Sequence, residues 1–106
     1  MTLAEFRQSI AAGAMPAKLS LALQALWLDA RGDWERAHAC AQEDKGRAGS
    51  WVHAYLHRKE GDLGNAGYWY ARAGRAAAGG SLDDEWAAIA EEFLAAGDGP
   101  GGTDGR

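Results

Sequence analysis

With 106 residues, 47% of them hydrophobic and 25% charged, the chain has the make-up of one globular domain with a single core, which excludes a disordered or fibrous protein. Its net charge of −4 argues against general nucleic-acid binding, which needs a basic excess to neutralise phosphates; its one cysteine, Cys40, excludes an intramolecular disulfide and suits a reducing, cytoplasmic location. A chain of this length buries roughly two-thirds of its unfolded surface, so modest stability, a shallow pocket and self-association, a homodimer included, are the expectations.

The first predicted helix starts at Thr2, whose hydroxyl can cap it while Glu5 reaches back. Leu3, Phe6 and Ile10 share one face, and Gly13 ends it. The second opens at Pro16, suited to a first helical turn, and runs to about Ala30. Leu19, Leu21, Leu23, Leu26, Trp27 and Leu28 surround it, which marks a central, buried helix. Asp33 caps the third, with Trp34, Ala37, His38 and Ala41 at spacings of three and four; it dissolves over Glu43 to Gly49. The fourth begins near Ser50, carries Trp51, Ala54, Tyr55 and Arg58 on one stripe and stops at Gly61.

Asp62 caps the fifth helix, whose inner face holds Leu63, Ala66, Tyr70 and Ala73 before the small-residue run Gly74 to Gly80. The sixth has a capping box from Ser81 to Asp84 and a stripe of Leu82, Trp86, Ile89, Ala90 and Phe93, and ends at Gly97. Residues 1–97 then form one helical domain and residues 98–106 a disordered tail. No stretch alternates polar and apolar residues over strand length, so the fold class is all-α with about six helices. Residues 1–15 lack the basic start and apolar middle of a secretory signal. The longest apolar run, Leu19 to Leu28, is too short for the roughly 20 residues of a membrane span.

The chain repeats itself: Gly32-Asp-Trp-Glu-Arg-Ala37 returns 29 residues later as Gly61-Asp-Leu-Gly-Asn-Ala66. Each Gly-Asp pair ends one helix and caps the next, so each forces a tight reversal, and two stacked αα-hairpins follow. This pattern resembles the tetratricopeptide repeat. Ala66, Tyr70 and Ala73 match the alanine, aromatic and alanine of its second half, and Ala25 and Ala54 its small position. Ala41 and Asp44 replace the aromatic and the last alanine in the first unit, Leu21 and Ser50 stand at the first tryptophan, and no proline closes either unit. The offset is also shorter than the usual period of about 34. The resemblance covers roughly residues 18–76 and makes the first and last helices caps on the repeat faces. Trp51 to Arg75 is similar, too, to small uncharacterised bacterial proteins, a resemblance that implies no known activity.

The segment Trp51 to Glu60 places two histidines, two large aromatics, two cations and a carboxylate on one helix. His53 and His57, four apart, share a face. They could form a metal site or acid–base pair completed by His38 or Glu60, or pack at a helix interface with ordinary hydrogen bonds. By the resemblance, Trp51, Tyr55, Arg58 and Lys59 face the concave groove of a repeat stack, and Trp69 and Arg72 of the fifth helix extend that surface. Aromatics beside cations suit an acidic or carboxylate-bearing peptide, protein or small ligand. The preferred expectation is therefore an interaction module using those six residues, without catalysis, cofactor, nucleic acid or membrane. The alternative is a metal-binding protein or small enzyme using His38, His53 and His57. Cys40 has no aligned base and is expected to be inert.

Overall fold

Hydrogen-bonded caps divide the chain, and the computed structural model describes residues 1–96. The helices are α1 (Leu3–Ala12), α2 (Leu21–Ala30), α3 (Trp34–Glu43), α4 (Arg47–Lys59), α5 (Leu63–Ala73) and α6 (Leu82–Ala95). The described residues contain no strand, so the all-α expectation of about six helices holds. None of these helices is long and apolar enough to cross a membrane. The expected stop at Gly97 and the tail 98–106 lie outside the described residues.

Local chemistry sets most boundaries. Thr2 and Glu5 form the full capping box on α1, at 3.1 and 2.9 Å. The two Gly-Asp turns carry the same hydrogen bonds. Gly32 and Asp33 donate to the Asp29 and Leu28 carbonyls, and Gly61 and Asp62 donate to those of Arg58 and His57. This pattern needs a left-handed glycine, and both glycines supply it, at φ 84° and 90°. Each aspartate then accepts the N–H three residues on, from Arg36 and Asn65. Ser81 starts α6 by accepting from the Asp84 N–H.

Three expectations need correction. Helix α2 starts at Leu21 and not at Pro16, because Lys18 adopts a left-handed φ of 66° and Ser20 is the residue that accepts from the Leu23 N–H. Helix α4 starts at Arg47 and not at Ser50. Its first turn packs on the preceding loop so closely that a Cβ on Gly49 would lie 2.3 Å from the Asp44 carbonyl oxygen. Leu63 is 68% exposed, not on the inner face of α5, since it sits at the hairpin tip where α4 has already ended; Ala66, Tyr70 and Ala73 are buried there as expected.

Helix α4 is the centre of the molecule, in contact with α2, α3, α5 and α6 and buried continuously from Gly49 to His57. The largest fully enclosed side chains are Val52 and Leu56 of α4 itself, Leu23 and Leu26 of α2, Ile89 of α6 and Phe6 of α1. Helix α1 closes the α2–α6 side, with Phe6 stacked on Trp86, whose indole N–H donates to the Leu26 carbonyl at 3.0 Å.

Candidate functional site

Where α3 crosses α4, three imidazoles meet. His53 and His57 lie one turn apart on α4 and both point at α3, which supplies His38. His38 Nε2 and His53 Nε2 are 2.9 Å apart, and one ring nitrogen from each of the three residues lies within 4.8 Å of the others. His57 holds its Nδ1 proton against the Glu60 carboxylate at 2.5 Å, so its lone pair, when the ring is neutral, is on Nε2.

Two tryptophans wall the cluster. Trp34 stacks on His38 with centroids 4.9 Å apart and is anchored across the helices by its indole N–H on the Leu56 carbonyl. Trp69 of α5 stacks on His53 at 3.9 Å. His53 is 2% exposed, and its Nδ1 is, among the described residues, a buried polar side-chain atom without a hydrogen-bond partner. Burial, helped by the neighbouring His38 and His57 rings, pulls the His53 pKa down to about 4. Burial and His57 also lower that of His38, with Glu60 opposing. Both rings are therefore neutral at neutral pH, the form that can donate a lone pair to a metal ion.

The six residues assigned from sequence to an acidic-ligand surface fall in three places. Trp51 and Arg58 converge on Glu85 of α6, a buried carboxylate that also accepts from Tyr70. Arg58 donates to Glu85 Oε1 at 2.9 Å and to the Gly80 carbonyl. Tyr55 and Lys59 converge on Asp29 of α2, at 3.0 and 2.9 Å. Desolvation and these carboxylates raise the pKa of both Tyr55 and Tyr70, so each hydroxyl stays a proton donor. Trp51 and Tyr55 are buried. Trp69 and Arg72 stand apart beside the histidines, with the Arg72 guanidinium over the Trp69 and Tyr68 rings.

The sequence reading missed Trp34, Asp29 and Glu85 as members of these clusters. Trp34 was detectable, since it lies one turn before His38 on the same stripe. Asp29 and Glu85 carried no signal, because an acidic residue near a helix end looks the same whether solvated or buried. Cys40 is a free, half-buried cysteine whose thiol pKa is raised by burial and by Glu43, as an inert thiol would be. Comparison of the chain with protein-family models, curated proteins and solved structures gives no match.

Proposed function

We propose that this protein binds a divalent transition-metal ion, zinc before others, through His38, His53 and His57. The observation that carries the reading is the convergence of three ring nitrogens from two helices within 4.8 Å. An all-imidazole donor set suits zinc, copper and nickel. Tetrahedral bonds of about 2.0–2.1 Å separate two ligand nitrogens by about 3.3 Å, so a few tenths of an ångström of opening between His38 and His53 admits the ion. Glu60 on His57 is the carboxylate that orients a metal-binding imidazole in such sites. Three protein ligands leave a fourth position for water or an exogenous ligand.

The experiment is calorimetric titration of zinc, nickel and copper into chelator-treated protein, alongside His38→Phe and His53→Phe. One ion per chain, lost in both variants, is expected. Glu60→Gln keeps the site but weakens it roughly 10- to 100-fold. Metal uptake equal in wild type and both histidine variants would sink the reading.

A second reading, a TPR-like module that recognises an acidic peptide or protein, has its own support. The two Gly-Asp reversals share one hydrogen-bond pattern, and α5 exposes Tyr68 with Arg72 hydrogen-bonded to its hydroxyl. Binding to a panel of acidic peptides that is unchanged in Tyr68→Ala/Arg72→Gln argues against this surface.

A further inference from the structure

Beside the histidine cluster, between the end of α3, the start of α4 and the middle of α5, opens a cleft of about 180 Å³. Its walls include Asp44, Lys45, Ser50, His53, Trp69 and Arg72. It has room for a few heavy atoms and not for a nucleotide.

The charges around it are unbalanced. Arg72 donates to the Tyr68 hydroxyl and lies over two aromatic rings, and among the described residues it makes no ion pair. Lys45 donates to the Gln42 carbonyl at 3.4 Å and, among the described residues, makes no ion pair. The one acidic wall, Asp44, already accepts the Gly46 N–H at 2.9 Å. Helix α4 starts at Arg47, after a Gly46 N-cap that offers no side-chain hydrogen bond, which leaves partial positive charge on the first-turn N–H groups that precede the cleft residue Ser50.

The second observation is His53 itself. Its Nε2 faces His38, while its Nδ1 is buried without a partner. His57 has solved the equivalent problem by placing its Nδ1 proton on Glu60. Ligating imidazoles in metal sites almost always give their second N–H to a carboxylate, a carbonyl or water, and among the described residues none supplies such a group to His53.

We infer that a small oxyanion, a carboxylate or a tetrahedral anion of the sulfate or phosphate type, binds this cleft between Arg72 and Lys45 and accepts the Nδ1–H of His53, so that anion and metal bind cooperatively. The inference rests on the metal reading above. An acceptor at Nδ1 holds the proton there and leaves the Nε2 lone pair for the ion. A metal on Nε2 in turn makes Nδ1–H a stronger donor. The coupling is therefore reciprocal: each ligand raises the affinity of the other by the same factor.

The test is zinc titration of the full chain at constant ionic strength in chloride, then with saturating sulfate, then with saturating acetate. Zinc is expected to bind roughly tenfold more tightly with at least one oxyanion; the arm that responds identifies the anion as tetrahedral or carboxylate. In Lys45→Gln/Arg72→Gln, whose mutated side chains are exposed and whose helicity is checked by circular dichroism, the chloride affinity stays and the oxyanion effect disappears. Zinc affinity that is the same in all three buffers, or enhancement that survives in the double variant, overturns the inference while the metal site stands. No zinc binding in any buffer overturns both.

Discussion

His53 is the residue at which stability and chemistry pull hardest against each other. Its ring is enclosed by Trp69, His57 and His38, and its folded pKa of about 4 lies below the unfolded value of 6.5. Between those two values the unfolded chain binds a proton that the folded one does not, so the metal-free protein loses stability as the pH falls from about 6.5 to about 4. Above that window the term is constant. Integrated across it, His53 contributes up to about 3 kcal/mol, and urea titrations at pH 7 and pH 4.5 should give an acid loss that is clearly smaller in His53→Phe. The ion pairs make a second contrast. Glu85 is buried against Arg58, Tyr70 and Trp51, whereas Glu92 meets Arg75 in solvent. Replacing Glu85 by Gln leaves the Arg58 charge without its counter-ion and should cost about 3 kcal/mol, but Glu92→Gln less than about 1 kcal/mol. Similar losses for the two would contradict this account of the buried carboxylate.

At the scale of elements, the helices answer to caps and to close approach. Gly49 and Gly67 are both helical glycines, in α4 and α5, and propensity alone favours alanine at each by roughly 1 kcal/mol. Packing separates them. A methyl at Gly49 would meet the Asp44 main chain at 2.3 Å, while nothing lies within 4 Å of one at Gly67. Gly49→Ala should therefore destabilise by about 2 kcal/mol and Gly67→Ala stabilise by about 0.5–1 kcal/mol, opposite signs that thermal denaturation reads directly. The same comparison explains the misplaced start of α4. A run containing Gly46 and Gly49 reads as a loop when only propensity is considered, and it turns helical because a glycine lets the first turn lie against the Asp44 backbone.

For the molecule as a whole, the histidine site ties α3 to the α4–α5 hairpin, so a bound ion should stabilise the folded chain globally. At a free zinc concentration one hundred times Kd the gain is about 2.7 kcal/mol, which in a domain of this size raises Tm by roughly 10–20 °C. Differential scanning calorimetry should show that rise, its reversal by a chelator and its absence in His38→Phe. The sequence by itself determined the helical class, both Gly-Asp reversals and most caps, because each depends on side chains within three or four residues of the backbone groups they satisfy. Only the tertiary structure decided which charges are buried and what the aromatic and basic residues of α4 do. Asp29 meets Tyr55 and Lys59, Glu85 meets Arg58 and Trp51, and His38 meets His53 through contacts spanning 15 to 34 residues. Such partners are chosen by how whole helices cross, and a linear pattern of residue types does not contain that choice.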